Sequence, residues 1–379
     1  MTAGRGKSGW TVAVLVATLA CASSGGAGSG ADVPTDQGAD PGVDDPGQAA
    51  DAAPDPQADA TADPAPDATP DPAGDPAPDP ARDAAPDAAP DAAPEPGDGD
   101  ADDVAPDTPV PAGCNGHESL CGRRYDQVAF ATTHNAMSNE DDGWIAPNQP
   151  HALERQWQDG IRAMMLDLWY GDPGVDGMDP SQVYLCHGEC LFGNRLLTDA
   201  LAALKAFLDT HPKDVVTLIF ESYVSGADVA AAFEAADLLP YLHAQAAGQP
   251  WPTLDQMAEA GRRLVVLTDR DGGTPAWHHD VWAHAFETHW SARVPSDLTC
   301  TPNRGDPSNP LFILNHFLTD PFATRELAAQ VNFNPFLLDR ARQCQQERSH
   351  LPGFVTVDFY DVGNVLEAVD ALNGVGAER

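Results

Sequence analysis

Basic residues are scarce in this chain: 20 Lys and Arg stand against 58 Asp and Glu in 379 residues, a formal net charge of −38 at neutral pH. Affinity for a nucleic-acid backbone rests on cations that neutralise phosphate, so this balance argues against DNA or RNA as a partner. It argues equally against lasting electrostatic adhesion to an anionic membrane. The apolar stretch at the N-terminus, Trp10–Ala20, is eleven residues long, whereas a helix crossing a bilayer needs about 20. Several motifs are also missing. Residues 113–379 contain no Gly-x-Ser-x-Gly elbow, P-loop, Gly-x-Gly-x-x-Gly or His-Glu-x-x-His, which removes the common serine-hydrolase, nucleotide and zincin readings.

What is present divides the chain in two. Residues 1–112 hold 22 acidic and 3 basic residues, with almost no large apolar residues after position 21; residues 113–379 hold 36 acidic and 17 basic residues together with the aliphatic and aromatic content of a core. One folded domain of barrel size therefore follows a long tail. Within the tail, residues 1–21 join Arg5 and Lys7 to the apolar Trp10–Ala20 and end at Cys21, the layout of a signal peptide. The segment resembles a bacterial lipoprotein signal, which implies lipid modification of Cys21; ordinary secretion is the alternative, and both place the protein outside the cytoplasm. Residues 22–112, with an Ala-Pro-Asp repeat through most of their length, are expected to form an extended, disordered spacer, because proline favours polyproline II and like charges resist collapse.

Six cysteines remain beyond Cys21. An even number in an exported chain predicts disulfides, and proximity suggests Cys114–Cys121, Cys186–Cys190 and Cys300–Cys344 among the fifteen pairings that six cysteines allow. Zinc ligation by the first four is the alternative.

Strand-like runs occur at 127–133, 163–169, 182–187, 215–221, 263–268, 284–290, 311–317 and 353–359. Helical patterns lie at 149–158, 196–210, 227–236, 253–262, 321–331 and 365–373. Eight strands alternating with helices predict a (β/α)₈ barrel of the TIM type. The twelve residues Tyr170–Ser181 are too few for a helical crossover, so the barrel should be irregular there, with an extended return.

Four apolar runs end on polar residues: Thr132-Thr133-His134-Asn135, Met-Met-Leu-Asp167, Val-Tyr-Leu-Cys-His187 and Leu-Ile-Phe-Glu221. Carboxyl ends of parallel strands converge on one face, so two imidazoles, two carboxylates and an amide are expected together. A histidine pair with no nucleophile motif suits two simultaneous proton transfers, one from an attacking hydroxyl and one to a leaving alkoxide. Phosphodiester cleavage by an internal hydroxyl needs that combination.

His134-Asn135, Gly160-Ile-Arg-Ala-Met-Met-Leu-Asp167-Leu-Trp169, His187-Gly188 and the strand ending at Glu221 resemble the X-domain of phosphatidylinositol-specific phospholipases C. The resemblance implies a distorted (β/α)₈ barrel that cleaves phosphoinositides to diacylglycerol and a cyclic inositol phosphate. It implies His134 as general base toward the inositol 2-hydroxyl and His187 as general acid toward the diacylglycerol oxygen. Metal-free members of that family carry an Arg two residues after the second-strand Asp, where this chain has Trp169. Calcium-dependent members use an Asn, a Glu-x-Asp pair and a Glu; Asn135, Asp167 and Glu221 match, and Met165 replaces the first acid. The resemblance thus implies a weak Ca²⁺ site, and Arg162 takes a structural role.

Asp358 and Tyr360, ending the eighth predicted strand, are candidates for substrate contact, with Asp358 also placed to orient His134. Trp144 is read as a membrane-interface contact, and Trp277-His278-His279-Asp280 as a surface loop. The expected protein is a monomer acting on a phospholipid or related phosphodiester. Alternatives are another barrel phosphodiesterase, acting on glycerophosphodiesters or sphingolipids, and a barrel that has lost catalysis and binds a ligand.

Overall fold

The computed structural model describes residues 113–376; the leader, Cys21 and the Ala/Pro/Asp tail lie outside the described residues. Ten strands form among them, β1 (Phe130–Thr133), β2 (Ala163–Tyr170), β3 (Val183–Cys186), β4 (Asn194–Leu196), β5 (Val216–Ser222), β6 (Leu264–Thr268), β7 (His278–Asp280), β8 (Ala285–Glu287), β9 (Leu311–Asn315) and β10 (Phe354–Val357). The helices are α1 (Glu118–Cys121), α2 (Leu153–Gln158), α3 (Leu197–Thr210), α4 (Gly226–Ala235), α5 (Leu254–Glu259), α6 (Arg325–Val331), α7 (Phe336–Arg348) and α8 (Val365–Asn373).

Eight strands run parallel in the order β7-β6-β5-β2-β1-β10-β9-β8. They curl into a TIM-type barrel whose two terminal strands, β7 and β8, do not pair, so the cylinder has an open seam bridged in sequence by the turn Val281–Ala283. Strands buried on both faces read as continuous apolar runs, which is why most were visible in the sequence. Alternate residues divide between two cores. Phe130, Ala163, Ile219, Leu267, Ile313 and Phe354 fill the interior, while Ala131, Met164, Leu218, Val266 and Val355 pack outward against the helices. From that outer side α3 presents Leu197, Leu201, Leu204 and Leu208, the 4-3-4 spacing of one helical stripe.

Two expectations about the strands are corrected. Residues 183–186 are not the third barrel strand: β3 pairs antiparallel with the overrunning end of β2, and β4 pairs antiparallel with β3, so the two form a hairpin outside the parallel succession. This is the extended return that the short Tyr170–Ser181 connection requires. The missing barrel strand is β7, inside Trp277–Asp280, which is therefore not a surface loop. His278 and His279 are buried, at 0% and 2% exposure, and lie in register with Val266 and Leu267 of β6. The His279 Nδ1 donates to the Val266 carbonyl and its Nε2 accepts the Gln245 N–H, so neither nitrogen is free for a metal.

Helix starts follow their caps. The helix predicted from Pro321 begins at Arg325, because the Thr324 hydroxyl accepts the Leu327 N–H. The three disulfides are Cys114–Cys121, Cys186–Cys190 and Cys300–Cys344, which excludes zinc ligation by the first four cysteines.

Candidate active site

The inward parity of the strands continues past their ends. Counting in twos from Phe130, Ala163, Ile219, Ile313 and Phe354 reaches His134, Asp167, Glu221, Phe317 and Asp358, so the pleat aims all five at the carboxyl mouth of the barrel. His134 and Asp358 follow neighbouring strands, β1 and β10, and the His134 Nδ1 lies 3.0 Å from Asp358 Oδ1. Asn148 donates to the same carboxylate oxygen at 3.1 Å, and Gln149 donates to the carbonyls of His134 and Val357, at 2.7 and 3.0 Å.

His187 reaches the site by another route. The β2/β3 pairing sets Leu168 opposite Leu185, which brings the end of β3 back beside Asp167. There the His187 Nδ1 lies 3.0 Å from Asp167 Oδ2. Each imidazole is thus held at Nδ1 by a carboxylate, leaving its Nε2 as the working edge. Asn135 joins the two halves. It adopts a positive φ of 45°, a conformation that asparagine tolerates better than other non-glycine residues, and its amide lies 3.4 Å from His187 Nε2. Such an amide donates to a neutral ring or, turned over, accepts from a protonated one.

Burial pushes the Asp167 carboxyl above its usual range, opposed by His187 and reinforced by the charge of Glu221. Burial pulls His187 down, but the hydrogen bond and charge of Asp167, with Asp358 and Glu221 beyond, outweigh it, and the net shift is upward. An upward shift favours the protonated ring, the form that a proton donor needs.

Asp167 and Glu221 are paired across β2 and β5. Glu221 Oε1 accepts the Tyr223 hydroxyl. Among the described residues no hydrogen bond engages Asp167 Oδ1 or Glu221 Oε2, and Asn135 Oδ1 is open when its amide group donates to a neutral His187 ring, so two carboxylate oxygens and, in that state, one amide oxygen remain for a Ca²⁺ ion, with Met165 one inward step below Asp167. Oxygen donors of this chemistry suit Ca²⁺.

Other candidates fall elsewhere. Tyr360 is 5% exposed and donates its hydroxyl to Asp159 at 2.7 Å, so its ring packs in the core instead of facing substrate. Arg162 pairs with Asp214 at 2.8 Å and donates to the Trp157 and Ile161 carbonyls at the start of β2, a structural place. Arg195 is held by Glu154. Arg270 lies over the Tyr223 ring at 4.3 Å, and Tyr223 stacks on Trp169 with centroids 3.9 Å apart.

Trp144 does not face solvent. It is buried at 7% exposure, against Gly193, where an added Cβ would come within 2.1 Å of the indole. Exposure belongs to its neighbours Ile145, Leu191 and Phe192, at 58%, 69% and 41%, and the Ile145 N–H donates to the Phe192 carbonyl. Leu191 and Phe192 lie on the loop that carries His187 and Ile145 on the loop after β1, and together they form an apolar lip. Sequence reasoning passed over this lip, Asn148, Gln149 and Phe317. Only Phe317 had a signal, its inward parity in the run 311–317.

A parallel barrel with carboxylate-held imidazoles at its carboxyl mouth is an architecture that many barrel enzymes share. The comparisons narrow this: a PI-PLC X family profile (PI-PLC X 1) matches residues 120–373, and the chain belongs to that family. It is 28% identical over 288 residues to "PI-PLC X domain-containing protein 1" of Arthroderma benhamiae, covering 69% of this chain and 90% of that one. An "Uncharacterized secreted protein" of the same organism is 26% identical over 279 residues, 66% of this chain and 61% of its own length. The solved phosphatidylinositol-specific phospholipase C from Listeria monocytogenes aligns with a TM-score of 0.47 and 15% identity, over 66% of this chain and 95% of that chain.

Proposed function

We propose that this chain is an exported phosphodiesterase of the phospholipase C type that cleaves a phosphoinositide-type diester. The carrying observation is the pair of imidazoles, each fixed through Nδ1 by its own carboxylate and linked by Asn135. The substrate's internal hydroxyl gives its proton to His134 Nε2 as its oxygen bonds to phosphorus. The bond from phosphorus to the lipid oxygen breaks, and that oxygen takes a proton from His187. The products are diacylglycerol and a cyclic phosphodiester. Asn135, Asp167 and Glu221 would hold Ca²⁺, whose charge offsets that of the phosphate.

The apolar lip of Ile145, Leu191 and Phe192 near His187 supports a substrate embedded in a lipid surface. A secreted relative and the N-terminal leader support export, with Cys21 as the lipid anchor of a cell-envelope protein if the leader is processed as a lipoprotein signal. One observation favours a barrel that binds without turnover: Met165 stands where a calcium-binding acid would be. Both histidine–carboxylate pairs weigh against it.

Phosphorus NMR of mixed lipid vesicles incubated with the protein tests the proposal. A cyclic inositol phosphate signal from phosphatidylinositol is expected. Release from sphingomyelin or glycerophosphodiesters alone would move the substrate assignment, and no turnover of any diester would leave the binding barrel.

A further inference from the structure

Phe317 has no part in the reaction described so far. Its ring lies flat on His134, with centroids 3.8 Å apart and planes 8° from parallel, and it is itself only 4% exposed. The residues before it are held from several sides. Asn315 donates to Glu287 Oε2 at 3.0 Å and to the Thr288 carbonyl at 2.8 Å. The His316 N–H donates to the Thr356 carbonyl at 2.8 Å, and its ring Nε2 donates to the Val331 carbonyl at 2.9 Å. Buried Arg340 donates to the Asn315 carbonyl and to His316 Nδ1, both at 3.0 Å. Phe317 therefore stands as a rigid wall and not as a loose rim residue.

A hydrogen bond at Nδ1 alone leaves an imidazole able to tilt, because the torsion that turns a histidine ring has a broad profile. A second constraint across the ring face removes that freedom. We propose that Phe317 is a positioning residue for His134: with Asp358 fixing one nitrogen and Phe317 fixing the plane, only the Nε2 edge is presented to the attacking hydroxyl. The inference rests on the acid–base reading of the site. Stacking adds a differential effect, since an aromatic face attracts the ring more strongly once it carries the proton taken from substrate.

Replacing Phe317 by Leu keeps the site filled and removes the π face; Phe317→Tyr keeps both, and Phe317→Met is a second filler should the Leu variant fold poorly. Loss of the stack should lower kcat about 3- to 30-fold, with KM for a soluble inositol phosphodiester within about twofold, and Tyr should stay near the parent. A readout independent of turnover is the ring-current displacement of the His134 Cε1–H resonance in histidine-labelled protein, present in the parent and the Tyr variant and lost with Leu or Met. Unchanged kcat in a folded Leu or Met variant, or equal losses in Leu and Tyr, would overturn the proposal. If the chain turns over no phosphodiester, the catalytic reading fails by itself, and a His134 resonance unmoved by Phe317→Leu would then refute the positioning role separately.

Discussion

The disulfides Cys186–Cys190 and Cys300–Cys344 should separate function from stability. They close loops of very different length, with sequence separations of 4 and 44. In the chain-entropy description, the short loop restricts the unfolded state by about 2 kcal/mol and the long one by about 4 kcal/mol. For a domain of this size each kcal/mol moves the melting temperature by roughly 2–4 °C. Cys300→Ala with Cys344→Ala should therefore cost roughly 8–16 °C and leave activity at 25 °C nearly intact, since both cysteines pack with Phe286, Phe312 and Leu314 in a cluster that holds no site residue. Cys186→Ala with Cys190→Ala should cost no more than roughly 4–8 °C, but it frees the segment that presents His187 to Asp167. Misplacing a catalytic group by about 1 Å can cost on the order of 10²-fold, and a loss of that order in kcat is expected. Scanning calorimetry and initial rates on the same preparations read both quantities. A Cys186/Cys190 variant that melts far lower yet turns over at the parent rate would show that the bridge serves stability and that Asp167 alone holds His187.

The two histidines should behave as a unit: His134→Ala or His187→Ala should remove about 10²–10⁴-fold of activity, and the double variant should be little worse than either; near-parental turnover by folded His187→Ala would end the assignment. Activity should depend on Ca²⁺ with half-activation at roughly 10⁻⁴–10⁻³ M, the range of weak extracellular sites, and Met165→Glu should shift it to lower calcium; full activity after exhaustive chelation would refute the ion and direct attention to Arg270. Acid should destabilise the fold through buried neutral histidines, because burial lowers His279 to about 4 and His316 to about 3. Both lie below the unfolded value of about 6.5, so the unfolded chain takes up protons that the native state refuses. Their contribution is complete above that value and is lost as pH falls from about 6.5 toward 4, at up to about 1.4 kcal/mol per pH unit for each histidine. Urea unfolding midpoints that stay constant between pH 6.5 and 4.5 would contradict this.

Most of the barrel was legible because buried parallel strands are runs of β-branched and aliphatic residues that end sharply. β7 was not, because two of its three residues are histidines, and their burial depends on Val266 and Gln245, which no local pattern connects to them. α7 was missed because its buried stripe of Leu337, Arg340, Ala341 and Cys344 includes a guanidinium, which breaks the apolar period that marks a helix. Of the site, His134, Asp167, Glu221 and Asp358 were visible as strand-terminal polar residues in inward register. His187 was picked for the right company and the wrong strand: antiparallel return, not barrel succession, sets it beside Asp167. Gln149 opens the helical pattern read at 149–158, but α2 begins only at Leu153, which leaves Asn148 and Gln149 in a loop whose contacts with the His134–Asp358 pair appear only in three dimensions.

The shared use of β2 has a consequence for how this chain can change. Its first residues are flanked by β1 and β5, and its last three are flanked by β3, so His187 is mounted on an appendage and not on the cylinder. Residues 171–182 can lengthen or shorten without altering barrel closure, provided that Val175 and Met178 still cover Tyr184, Cys186 and Cys190. The pairing of β3 on β2 has no such freedom. A slip of two residues would carry His187 about 7 Å along the strand, out of reach of Asp167, and a slip of one would turn it to the opposite face.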